Sequence, residues 1–148
     1  NDMNDTRNGE WLDPELARPG VSAVNAVTGE VLWSRVQENV CGEGRPFCDP
    51  GVSAAITATE GAVVAGHLDG IIRIYDSAGG DIIWSYDTTA PVTGTNGVTA
   101  KGGGMSGSGP AIGAGHMVVN SGYGLYNHEA GNALLVFAPK SRGPVSAR

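Results

Sequence analysis

Residues 21–34 read VSAVNAVTGEVLWS and residues 72–85 read IRIYDSAGGDIIWS, and the two align at a constant offset of 51 residues. Asn25 falls on Asp76, Gly29 on Gly80, Glu30 on Asp81 and Trp33 on Trp84. Each copy reads as a strand, a turn of the Asn/Asp-x-x-x-Gly kind and a second strand ending in Trp, which is a β-hairpin with its turn glycine in place. Upstream of the second copy, residues 54–57 and 62–65 read as two more short strands separated by turn residues. Four strands in a period of about 50 residues predict a propeller blade.

A third copy begins at Pro110-Ala111-Ile112, continues through Met117-Val118-Val119-Asn120 and reaches residues 134–138, where Phe137 and Ala138 take the places of Tyr75 and Asp76. Its offset grows to 62, and the extra residues fit 122–131, lengthening the hairpin between the second and third strands. After Pro139 no fourth, Trp-bearing strand follows, and the first copy starts at its third strand. The expected fold is therefore all-β, a propeller of four-stranded antiparallel blades seen as about two and a half blades of a larger, eight-bladed ring. Blades bury their faces only against neighbours, so further blades in the same or another chain are the first expected partner. The expected organisation is an irregular segment over 1–18, the end of one blade over 19–36, a Cys-stapled loop over 37–53 and a complete blade over 54–87. A Gly-rich central loop over 88–108, a last blade without its outer strand over 109–139 and a tail over 140–148 follow.

Composition agrees with that architecture. Of 148 residues, 24 are Gly and 8 Pro, without a three-residue period, and such a density of turn residues excludes a helical bundle. No apolar run reaches the roughly 20 residues of a membrane span. The net charge of −6 is unevenly divided. Residues 1–100 are acidic, whereas 101–148 carry Lys101, Lys140, Arg142 and Arg148 against a single acid, Glu129. Neither part has the basic stripe of a nucleic-acid binder. Cys41 and Cys48 enclose CGEGRPFC, a spacing that suits neither a redox CxxC nor a zinc knuckle. A local disulfide in an oxidising compartment, periplasmic or secreted, is expected; free thiols in a cytosolic loop are the alternative.

The hairpins VNAVTGEVLW and YDSAGGDIIW resemble the repeat of pyrroloquinoline quinone (PQQ) dehydrogenases and their non-enzymatic relatives. A narrower resemblance covers residues 19–139: the Cys loop, GHLDGIIRIYD (66–76), TNGVTAKGG (95–103), NSGYG (120–124) and GNALL (131–135). Together these are similar to the C-terminal blades of polyvinyl alcohol dehydrogenases, from which LYNHEA (125–130) and Met105 depart. The resemblance implies a periplasmic quinoprotein that oxidises secondary alcohols, with PQQ and calcium as cofactors and a cytochrome c as possible electron acceptor. The small-molecule or polymeric alcohol is its substrate. The alternative is a propeller without cofactor that serves as a protein-binding scaffold, which the hairpins fit equally well. A WD-repeat module fits less well, because Trp33 and Trp84 follow the hairpin glycine instead of preceding the aspartate.

Residues 87–108 link the outermost strand of one blade to the innermost strand of the next, where propellers bind ligands. Lys101 is the sharpest cofactor-binding candidate, since a cation beside a quinone carbonyl stabilises charge that develops there. Asn96 is expected to donate a hydrogen bond to the cofactor rim, Gly102 and Gly103 to admit close backbone approach, and Tyr123 of NSGYG to contact ligand. Gly102, Gly104 and Gly107 also match G-x-G-x-x-G, but a strand and not a helix follows, which argues against a dinucleotide site. Ser106 and Ser108 fit no nucleophile elbow. The three histidines show no ligand spacing, and no acid is assignable as catalytic base, so the base and the calcium ligands are expected in other blades. The chain has no C-x-x-C-H haem motif.

Overall fold

The structure, a computed structural model, describes residues 4–5, 10–11, 18–42, 45–123 and 127–140. Most of the expected N-terminal segment and the tail beyond Lys140 lie outside these residues, as does Tyr126. Among the described residues every regular element is a strand. A two-residue ladder joins β1 (Asn4–Asp5) to β2 (Glu10–Trp11), too short for any alternation to announce.

The repeated hairpins fold alike because the same local chemistry recurs 51 residues apart. In the first, β3 (Gly20–Val24) pairs with β4 (Val31–Val36). In the second, β7 (Ile71–Asp76) pairs with β8 (Ile82–Asp87), β5 (Thr57–Thr59) and β6 (Ala62–Gly66) preceding them. The Asn25 Oδ1 accepts from Val27 and Thr28 backbone N–H at 2.9 and 3.2 Å, and the Asp76 Oδ2 accepts from Ala78 and Gly79 at 3.0 and 2.7 Å. A short side-chain acceptor at this position thus organises the turn, which is why Asn and Asp interchange there. Gly29 and Gly80 close the turns at φ 75° and 72°, a region an L side chain resists. Each hairpin carries its bulge at the matching place, between Ala23 and Val24 and between Ile74 and Tyr75.

Strands β5-β6-β7-β8 form a four-stranded antiparallel sheet, and β11 (Ala111–Gly113), β12 (His116–Ser121) and β13 (Ala133–Phe137) a three-stranded one. With the β3–β4 hairpin these are partial propeller blades. The first strand of the central sheet starts at Thr57, not at residue 54. Residue 55, which would extend the ladder opposite Gly66, instead abuts Gly109, while the Thr57 hydroxyl donates to the Pro110 carbonyl. The central loop also holds a small hairpin, β9 (Val92–Thr93) with β10 (Thr99–Ala100).

Strand alternation sends the two faces of the central sheet to different neighbours. Val63, Ala65 and Tyr75 pack with Val21, Trp33 and Val52 on one side. Val64, Ile72 and Ile74 pack with Met105, Met117, Val119 and Phe137 on the other. Trp33 reaches across from the first hairpin: its Nε1–H donates to the Ser77 carbonyl at 2.9 Å and its ring covers Gly80, where a Cβ would lie 2.5 Å from Cε3. Arg35, two residues on, donates to the Gly80 carbonyl at 2.8 Å and pairs with Asp81. Trp84 makes the corresponding reach to the last sheet, meeting Phe137 edge-on at 5.4 Å. The repeated Trp is an inter-blade contact. Antiparallel order sets the connections 37–56, 67–70, 88–110 and 122–132 at one end of the sheets, and the tight turns at the other.

Candidate functional site

At the loop end, four connections interlock. The Cys41–Cys48 disulfide, with Cα atoms 5.6 Å apart, closes a loop that projects Arg45. Arg45 Nη2 donates to the Asp69 carbonyl at 2.8 Å and to Glu129 Oε2 at 2.5 Å, joining three connections. The glycine run then threads beneath residues 129–131. Gly102 N–H donates to the Thr88 carbonyl, Gly104 N–H to the Glu129 carbonyl and Met105 N–H to the His67 carbonyl, at 2.9, 2.8 and 3.1 Å. Thr88 and Ser121, both buried, share a hydroxyl–hydroxyl bond of 2.6 Å, and Ser121 Oγ also accepts from Gly103 N–H at 3.0 Å.

Lys101 leaves this packed run toward solvent. Its backbone is clamped by Asn132, whose Oδ1 accepts Lys101 N–H at 3.1 Å while Asn132 N–H donates back to the Lys101 carbonyl at 2.8 Å. Its ammonium reaches Glu129 Oε1 at 3.3 Å. The Glu129 side chain is only 13% exposed, against 28% for Arg45 and 52% for Lys101, so one shielded carboxylate bridges two more accessible cations. Tyr123 stands beside them, exposed, with its hydroxyl donating to the Asn132 carbonyl at 3.1 Å. The charges sum to one net positive, presented mainly by Lys101. Chemically the cluster suits an anionic or carbonyl oxygen approaching from solvent.

Behind it, at the inner margin of the central sheet, lies a buried polar layer. Asp69 accepts both Arg73 Nη1 and Nη2, at 3.1 and 2.7 Å, and also the Ile71 N–H at 2.9 Å. His67 is fully buried, with Nδ1 3.3 Å from the Pro50 carbonyl and Nε2 2.9 Å from the Tyr75 hydroxyl. A carbonyl only accepts, so Nδ1 carries the proton, and Tyr75 donates to Nε2. Burial, with the Arg73 charge second, lowers the His67 pKa from 6.5 to about 4. Burial likewise pushes Tyr75 up to about 12, so the pair is neutral on both sides. The unfolded chain then binds a proton the native one refuses between pH 6.5 and 4. Stability is expected to fall by about 3 kcal/mol as pH is lowered through that window. Denaturant titrations at pH 7 and pH 4 measure it, and His67→Gln should flatten this part of the profile; an unaltered slope in that variant would refute the assignment.

The structure joins Lys101 and Tyr123 through Asn132 and leaves Asn96 apart from them. Asn96 belongs to the β9–β10 turn, exposed, its Oδ1 accepting Val98 N–H at 3.1 Å. Gly102 and Gly103 are buried against the chain itself: a Cβ on Gly103 would stand 2.3 Å from the Glu129 carbonyl oxygen, and one on Gly102 2.5 Å from Ser121 Oγ. Their small size is already explained by that packing. Sequence reasoning missed Glu129, Arg45 and Asn132 as site residues. One signal was available for the first, the single acid in residues 101–148. No group of three or more His, Cys, Asp or Glu side chains converges among the described residues, and no helix of theirs is long and apolar enough to cross a membrane.

No protein-family model matches the chain. It is similar to a polyvinylalcohol dehydrogenase of Sphingopyxis sp. (strain 113P3), 40% identical over 120 residues that make up 79% of this chain and 18% of that protein. It is also similar to a polyvinylalcohol dehydrogenase of Pseudomonas sp, 35% identical over 131 residues, 82% of this chain and 20% of that protein. The chain therefore spans about a fifth of the length of the curated relatives it matches. Over some four-fifths of its own length, in a segment of partial propeller blades with a disulfide-closed loop, the chain is a relative of the polyvinylalcohol dehydrogenases.

Proposed function

We propose that this chain forms the blades of a PQQ-dependent alcohol dehydrogenase that present Lys101 to the quinone, within a larger propeller whose other blades supply the catalytic base. The observation that carries this reading is the position of Lys101: rooted by Asn132, tethered by Glu129 and still half exposed at the loop end, where blade connections gather. The relatives' name supports dehydrogenase chemistry. A disulfide supports an extracytoplasmic location, periplasmic or secreted.

The residues suit a planar, acidic quinone on one side. An ammonium with donors beyond the one Glu129 accepts fits a carbonyl or carboxylate oxygen, and Tyr123 and Asn132 add polar atoms next to it. When bound, PQQ supplies the two-electron acceptor for hydride from a secondary alcohol carbon. Lys101 holds and polarises one oxygen at the rim, and Asn96, from the neighbouring hairpin, is proposed to reach another edge. Gly102 and Gly103 are proposed to contribute through their backbone by setting where Lys101 emerges. Calcium is assigned to the rest of the protein, and a cytochrome c is the proposed electron acceptor.

The test is reconstitution of the full-length parent with PQQ and calcium, following dye reduction by secondary alcohols. Lys101→Ala is expected to lower kcat/KM about 100-fold, the scale of losing one charge-stabilising donor. A parent that neither binds quinone nor reduces dye overturns the enzyme reading in favour of a protein-binding scaffold.

A further inference from the structure

A lysine side chain on a solvent-facing loop samples many rotamers, so an ammonium that must meet one ligand atom needs its tip held as well as its root. Here both are held. Asn132 clamps the Lys101 backbone in both directions, and Glu129 takes the ammonium at 3.3 Å. Glu129 is itself fixed by its main chain, with its N–H donating to the Phe47 carbonyl at 3.1 Å and its carbonyl accepting Gly104 N–H at 2.8 Å. A carboxylate alone beside Lys101 would hold the ammonium at the expense of its charge. Arg45 relieves that conflict by occupying the other oxygen at the shorter distance of 2.5 Å. The triad keeps one net positive charge, and Glu129 accepts only one of the three ammonium donors.

We infer that Glu129 is the positioning residue for Lys101 and that Arg45, carried by the disulfide loop, keeps the positioned ammonium from being neutralised. This rests on the reading of Lys101 as a cofactor contact, and it adds to that site Glu129, 28 residues from Lys101, and Arg45, 84 residues from Glu129. Phe47, in the same disulfide loop, accepts the Glu129 N–H, so the loop holds Glu129 by side chain and backbone together.

The experiment uses the full-length parent and two readouts that do not depend on turnover. One is the rate of Lys101 acylation by an amine-reactive ester, read by mass spectrometry on the protein without quinone; the other is the dissociation constant for PQQ. In Glu129→Gln, Lys101 labelling is expected to rise about threefold as the tether is lost, the scale of one partly exposed ion pair. The PQQ dissociation constant is expected to rise about tenfold, and Lys101→Ala combined with Glu129→Gln to bind no more weakly than Lys101→Ala alone. Glu129→Asp, with its charge withdrawn by one methylene, should fall between. Where Glu129→Gln fails to fold, Arg45→Met reads the triad from its other end: Lys101 takes the whole carboxylate and its labelling drops. Unchanged labelling in these variants, or a Glu129→Gln effect on affinity that persists in full without Lys101, overturns the inference. Labelling that responds while Lys101→Ala leaves quinone affinity intact upholds the positioning and overturns the cofactor reading instead.

Discussion

Arg73→Met is expected to destabilise the protein that carries this chain by about 3–5 kcal/mol, among the largest single-site losses the fold offers. Asp69 is fully buried and Arg73 nearly so, and the guanidinium meets the carboxylate through two bonds. Removing the cation strands a buried carboxylate beside the neutral His67–Tyr75 pair. Its remaining bond, to the Ile71 N–H, offsets only part of that cost. The double variant Asp69→Asn/Arg73→Met keeps an acceptor for Ile71 and leaves no charge behind, so it should recover about 2 kcal/mol of the loss. Chemical denaturation of the two variants and the parent measures the difference. Equal losses in the single and double variants would mean that the buried charge is not what the arginine answers. The consequence reaches the site, because the Asp69 carbonyl is one of the two acceptors that hold Arg45.

Gly103→Val is the second large effect. A Cβ at this position meets two consecutive backbone carbonyls, the Glu129 oxygen at 2.3 Å and the Ala130 oxygen at 2.9 Å. Backbone cannot rotate away as a side chain does, so residues 129–131 must lift, carrying Glu129 off Lys101 and breaking the Gly104-to-Glu129 bond. A loss of about 3 kcal/mol in unfolding free energy is expected, together with faster acylation of Lys101. Gly107→Ala in the same loop is the control. Its nearest neighbour is the Tyr123 carbonyl oxygen at 3.7 Å, and it should cost under about 0.5 kcal/mol. If the two glycines respond alike, close packing is not the reason the run is made of glycine.

Much of the fold was legible in the chain because its information is local and repeated. Asn25 and Asp76 organise their own turns within three residues, Gly29 and Gly80 close them, and the bulges recur at the same offset. A large aromatic at a fixed place after each turn is suited to packing on the neighbouring blade, and Trp33 does so through Ser77 and Gly80. Two cysteines seven residues apart pointed to a local disulfide, and the structure forms it. Where pairing depends on distant chain, the reading was less accurate. Residues 54–56 continue the apolar run that leads into the strand, yet Gly109 and Pro110 approach the backbone next to them and the strand starts at Thr57.

The site divides along the same line. Lys101 is a candidate from its place in a blade-to-blade connection, and Tyr123 from its segment. What holds Lys101 was not visible. Glu129 comes from an extended connection and Arg45 from the disulfide loop, and no periodicity links three residues whose meeting is set by the order in which strands stack. The glycine run was legible as a place where side chains are excluded, but whether a ligand or the chain itself fills that space depends on where residues 129–131 pass. The sequence alone therefore determined the hairpins and their turns, each encoded within a few residues, and pointed to the disulfide that the structure forms. Only the tertiary structure decided which loops converge, since charges 28 and 84 residues apart become neighbours through packing, and hydrophobic burial between blades carries no record of which loop ends it brings together.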